Sequence, residues 1–200
     1  MRSKTPFLIL ILASVLAASL PAEAPIVAEK APDFTITDID GNTFTLSDHR
    51  SKVVLIDFFT TSGAPCIQMQ PVLREIRDNF AEDELVMISV SVGSGDTVED
   101  IREFRSQHSA NWVFAKDTLN LGDSYDIHSV PTEFIINVNG YIHYTHVGTT
   151  TAGVLSDEIE EARTGYVPPE FPYALIAIVI LVVVGVVSAT VAALFWRKRD

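Results

Sequence analysis

The chain reads as an α/β protein, a mixed central sheet with helices on both faces, followed by one C-terminal transmembrane helix. Three observations predict this. Residues 52–59 and 84–92 are short, almost wholly apolar runs rich in β-branched side chains, the pattern of strands covered on both faces. The first run leads into a segment whose apolar positions fall near helical spacing, and the second into one that opens with a capping-box signal. Residues 174–195 form an uncharged apolar run of 22 residues, long enough to cross a bilayer as a single helix.

In chain order, residues 34–36 and 43–45 are short strands flanking the turn signal Asp40, Gly41, Asn42. The run 52–59 is a central strand. A helix over 64–80 follows, with Ile67, Val72, Leu73, Ile76 and Phe80 expected to face the core and Arg74, Glu75, Arg77 and Asp78 between them. After the strand 84–92, residues 97–107 read as a helix with Thr97 as its cap and Asp100 at capping-box distance. Residues 112–114 form a short strand and 119–125 a single helical turn. Residues 134–137 and 141–147 form a hairpin around Val138, Asn139 and Gly140, and a helix over 150–163 closes the domain. Strand, helix, strand, helix, then hairpin and helix implies a mixed sheet.

The ends set the expected topology. Residues 1–24 carry Arg2 and Lys4, an apolar stretch over 7–20, and then Ala22, Glu23 and Ala24, the three-part pattern of a signal peptide or, uncleaved, an N-terminal anchor. The domain spans 28–163, a Pro-rich linker 164–172, the membrane helix 173–196 and a basic tail 197–200. Tyr173 and Trp196 flank the apolar run, and Arg197, Lys198 and Arg199 hold the C-terminus on the cytoplasmic side, so the expectation is a single-pass cell-membrane protein with its domain outside the cytoplasm. Residues 25–170 hold 24 Asp and Glu against nine Lys and Arg, a net charge of −15. That surface repels nucleic acid, which is not an expected partner. One cysteine excludes an internal disulfide.

Residues 58–71, FFTTSGAPCIQMQP, put that cysteine at the opening of a helix directly after a buried strand. Together with Ala31, Pro32, Asp33 and Phe34, Asp40 to Asn42, Val130, Pro131 and Thr132, Ile135 to Asn137, Asn139 and Gly140, and His146 to Gly148, this stretch resembles the thioredoxin fold. More narrowly it resembles the extracytoplasmic TlpA/ResA branch, close to the AhpC/TSA redoxins, over about residues 28–162. The resemblance implies an active site Trp-Cys-x-x-Cys at the start of the first long helix. Here those positions are Ser62, Gly63, Ala64, Pro65 and Cys66, so the second cysteine is present and the first, the nucleophile, is glycine. Asp57 matches the buried carboxylate that takes the second thiol's proton. Pro71 matches the proline inside the first helix, and Val130, Pro131 and Thr132 match the cis-proline loop lining the substrate groove.

A dithiol reductase uses one thiol to attack a disulfide and the other to resolve the mixed disulfide. With Cys66 alone, resolution requires an outside thiol. The first helical turn favours a thiolate, whereas a neighbouring Asp57 or apolar burial disfavours one, so the direction of the Cys66 shift stays open at this level. Removal of a side chain at Gly63 leads to the expectation of a more open sulfur than in the resembled family. Asp57 is either a proton-transfer group or a structural carboxylate paired with a lysine such as Lys52. Thr60, Thr61 and Ser62 are candidates for capping the helix or for donating to the thiol.

The leading functional expectation is a membrane-anchored thiol–disulfide protein, at most monothiol through Cys66. The resemblance implies cysteine-containing proteins or a membrane redox partner. A non-catalytic, tethered peptide-binding module is the alternative. A peroxidase is less favoured, because the peroxiredoxin pattern Pro-x-x-x-Thr/Ser-x-x-Cys would need its Pro and Thr/Ser at Phe59 and Gly63. No cofactor is expected. No metal is expected either: His143 and His146 are three apart on a strand and face opposite sides, and His49, His108 and His128 read as ordinary surface residues.

Overall fold

A computed structural model of the chain describes residues 29–165. The expected signal segment, most of the linker, the membrane helix and the basic tail lie outside the described residues. Among the described residues, no helix is long and apolar enough to cross a membrane.

Two short strands come first, β1 (Thr35–Thr37) and β2 (Thr43–Thr45), paired antiparallel as a sheet of their own. Asp38 closes their turn by accepting from the backbone N–H groups of Asp40 and Asn42 at 2.9 and 2.8 Å. A 3₁₀ turn, Leu46–His49, leads into β3 (Val53–Phe59), every residue of which is buried. Then follow α1 (Ala64–Asn79), β4 (Leu85–Ser91), α2 (Val98–Gln107), β5 (Val113–Lys116), α3 (Leu121–Ser124), β6 (Thr132–Ile136), β7 (Ile142–Val147) and α4 (Ala152–Ala162). The main sheet has the order β5-β4-β3-β6-β7, with β3, β4 and β5 parallel and β6 and β7 antiparallel to their neighbours.

Both parallel crossovers, β3-α1-β4 and β4-α2-β5, step in the same direction, so the right-handed rule places α1 and α2 on one face. That face, completed by α4, buries Phe59, Met69, Leu73, Ile76, Phe104, Leu155 and Ile159 in one cluster. The opposite face is closed mainly by the β1–β2 hairpin and the single turn of α3, through Phe34, Phe44, Leu121 and Tyr125. The expectation of helices on both faces therefore holds only in this reduced form.

Local signals behave as their chemistry requires. Thr97 and Asp100 form a reciprocal capping box at the start of α2, and Thr151 caps α4. In α1, however, Ile67 is 42 % exposed while Met69 and Gln70 point inward. The apolar spacing located the helix; its rotation is set by the docking of Cys66 onto the sheet, whose stripe continues through Met69, Gln70, Leu73, Ile76 and Arg77.

Candidate functional site

The site lies at the C-terminal end of β3, where the sheet order departs in two directions, to β4 on one side and β6 on the other. In open α/β sheets this switch point is the place where functional groups gather. Gly63 is the N-cap of α1 with ordinary extended angles and makes no side-chain cap; Pro65 sits in the first turn, and Pro71 lies inside the helix. Thr61 does not cap α1 either. Its N–H and hydroxyl both donate to Asp96, at 3.0 and 2.7 Å, and Ser91 donates to the same carboxylate at 2.5 Å. Asp96 thereby ties the loop before α1 to the loop after β4. Ser62, Ala64 and Pro65 are exposed.

Cys66 has 0 % exposure, contrary to the expectation that Gly63 would open it. The cover comes from Thr60. A Cβ built on Gly63 would meet the Thr60 hydroxyl at 2.8 Å and the Cys66 sulfur at 3.0 Å, so Thr60 holds the space above the thiol. The direction of the thiol shift is now fixed: burial pushes Cys66 up, hydrogen bonds from Thr60 oppose this in part, and Asp57 and Glu133 add to the rise. The sulfur is a protonated, shielded thiol at neutral pH.

Asp57 is 2 % exposed, and its Oδ2 accepts from the Ser89 hydroxyl at 2.7 Å. Trp112 donates to that same hydroxyl at 2.9 Å. Asp57 Oδ1 has no hydrogen-bond partner among the described residues. The Lys52 pairing is not formed, because Lys52 donates to the Glu82 carbonyl at 3.0 Å. Burial pushes Asp57 up to about 7.

Sequence reasoning missed Glu133. It lies directly opposite Asp57 in the β3–β6 register, has 0 % exposure, and neither of its oxygens has a hydrogen-bond partner among the described residues. Burial, with Asp57 beside it, pushes Glu133 up to about 9. The available signal was an acidic residue two places after Pro131 inside an otherwise apolar strand.

The Val130–Pro131 bond is cis. Val130 is half-buried against the cluster that contains Cys66, while Pro131 and Thr132 are buried. The loop is held from both sides: Gly148 N–H donates to the Pro131 carbonyl at 2.8 Å, and the Thr132 hydroxyl to the Ser129 carbonyl at 2.8 Å. The histidines stay apart, with no metal-holding group among the described residues. His49 packs on Phe44, His108 on Phe104, and exposed His128 lies 3.1 Å from Asp126. His146, on the edge strand β7, is half-buried and 2.5 Å from Glu158.

A mixed sheet with a cis-proline loop facing a cysteine at a helix start defines a thioredoxin-like domain. The AhpC/TSA family model matches residues 27–145, more than half of the chain, and the chain belongs to the AhpC/TSA family. It is 28 % identical over 133 residues to the thioredoxin-like protein YneN of Bacillus subtilis, covering 66 % of this chain and 78 % of YneN. It is 27 % identical over 136 residues to the thiol-disulfide oxidoreductase ResA of the same organism, covering 68 % and 75 % of the two chains. Among solved structures, a DsbE-like thiol:disulfide interchange protein of Chlorobium tepidum superposes with a TM-score of 0.62 at 26 % identity, over 70 % of this chain and 99 % of that one. The domain is of the thiol–disulfide oxidoreductase-like kind.

Proposed function

We propose that this is a membrane-anchored, extracytoplasmic thioredoxin-like protein of thiol–disulfide type, working at most as a monothiol through Cys66. Its partners are cysteine-containing proteins or a membrane redox partner, received at the groove formed by residues 62–65 and 130–132. Anchoring rests on the apolar run 174–195 and the basic residues after it. The observation that carries the reading is the sole thiol, fully buried at the resolving position with glycine at the attacking one. A thiol so placed does not strike first, and one thiol alone does not resolve a mixed disulfide.

That same burial favours a second reading, in which the domain holds a peptide at the groove without chemistry. Both are tested by following alkylation of Cys66 against pH in the full-length chain, native in detergent and unfolded in denaturant. The expected native rate is far below the unfolded rate, with its rise displaced above about pH 8.5. Slow but measurable exchange with a small disulfide supports the monothiol reading, and none supports the binding module. A fast native rate that levels off below about pH 7.5 overturns the shielded site on which both stand.

A further inference from the structure

The buried carboxyl groups form a continuous row. Directly opposite residues in paired strands share a face of the sheet, and the registers align Ser89 on β4 with Asp57 on β3, Asp57 with Glu133 on β6, and Glu133 with His146 on β7. This is the face against which α1 and α4 pack, since Leu55 and Phe59 on β3 and Ile135 on β6 join its cluster together with Cys66. The inner end of the row lies near enough to Cys66 for Asp57 and Glu133 both to act on the thiol. Its outer end is His146, 2.5 Å from Glu158 of α4, with 22 % and 16 % of the two side chains exposed. Three carboxylate oxygens in the middle, Asp57 Oδ1 and both oxygens of Glu133, have no hydrogen-bond partner among the described residues.

We propose that Asp57, Glu133 and His146 form a proton path joining the buried Cys66 thiol to solvent at the His146–Glu158 pair. Opposite residues in an antiparallel pair stand about 4.5–5.5 Å apart at Cα, so neighbouring side chains reach one another directly or through one buried water. The Cys66 proton passes to Asp57 Oδ1, the Asp57 proton to Glu133, and the Glu133 proton to the inner nitrogen of His146. The proton on Nε2 then leaves through Glu158. Each hop moves one proton, and the reverse sequence returns it without any change of oxidation state.

The groups that meet the row are Ser89 from β4 with Trp112 behind it, Cys66 from α1, Thr60 over that thiol, and Glu158 from α4. Tyr144 and Glu161 pair with each other two residues further along the strand, at the next position on the same face. Among the described residues, no Lys or Arg pairs with Asp57 or Glu133, which suits groups that hold protons rather than fixed charges. Their upward displacement by burial agrees with this. The path is a property of the fold and stands whether or not the thiol turns over.

The test uses the sole S–H group as its own probe. The full-length chain in detergent is transferred to D₂O, and conversion of S–H to S–D is followed by its stretching band alongside backbone amide exchange in β3 and β6. The expected result is thiol exchange far faster than those amides, slowed at least tenfold by Glu133→Gln and by His146→Phe, with amide exchange no faster than in the unsubstituted chain. If Glu133→Gln does not fold, His146→Phe at the sheet edge decides alone. Thiol exchange no faster than the amides, or unchanged in either folded variant, overturns the path.

Discussion

Gly63→Cys restores the missing sulfur, and the backbone is already arranged for it. Gly63 has φ −75° and ψ 112°, which any L-residue adopts. Its Cβ would stand 3.0 Å from Cys66 Sγ. A disulfide with an S–S bond of about 2.04 Å and ordinary angles places Cβ about 3.0 Å from the far sulfur. The one obstacle is the Thr60 hydroxyl at 2.8 Å, the end of a short side chain that rotates away. Closing so small a loop stabilises the oxidised variant over its own reduced form by about 2 kcal/mol in the chain-entropy account. That corresponds to a Tm difference on the order of 5 °C for a domain of this size. The assay is thiol titration and intact mass of the full-length variant in detergent, before and after mild oxidation, with thermal unfolding of both forms. Both thiols are expected to disappear on oxidation, and catalysed insulin reduction to appear where the wild type shows none. Two free thiols persisting in a folded, oxidant-treated variant would refute the claim that the dithiol geometry survives.

Thr60→Val keeps the volume over Cys66 but removes the hydroxyl that lowers the thiol, so the onset of alkylation moves further up in pH; an unchanged profile would show that Thr60 only covers. Asp96→Ala strands the donors of Thr61 and Ser91, is expected to cost about 3 kcal/mol in denaturant unfolding, and frees the Thr60–Thr61 segment so that Cys66 alkylates at least tenfold faster. Asp57 and Glu133 are raised to about 7 and about 9, so between about pH 4 and those values the folded state binds more protons than the unfolded one. Their contribution is complete at low pH and is lost as pH rises through the folded values. Stability is therefore expected to fall from about pH 5 to pH 9, and urea titrations of Glu133→Gln should show a smaller fall and a more stable protein at the alkaline end.

The secondary elements were legible because local chemistry specifies them. Seven consecutive buried residues in β3, the Thr97–Asp100 box and the Asp40–Gly41 turn each act over a few neighbours. The inward face of α1 was not legible. Ile67 is the more apolar choice, yet Gln70 occupies the core, because helix rotation follows from what Cys66 docks against. Within the site, the thiol, the glycine opposite it and the cis-proline loop stand in the sequence as motifs. Thr60 as the cover of Cys66 does not, since it depends on the turn that brings residue 60 over residue 66.

By itself the sequence determined the chemistry available: one thiol, glycine at the attacking position, a carboxylate on the central strand and an apolar run fit for a membrane. These are matters of composition and spacing along the chain. Only the tertiary structure decided that the thiol is shielded and protonated, and that Glu133 stands between Asp57 and His146. Burial and strand register are set by contacts between residues far apart in the chain. A one-residue slip in β6 would have turned Glu133 to the opposite face.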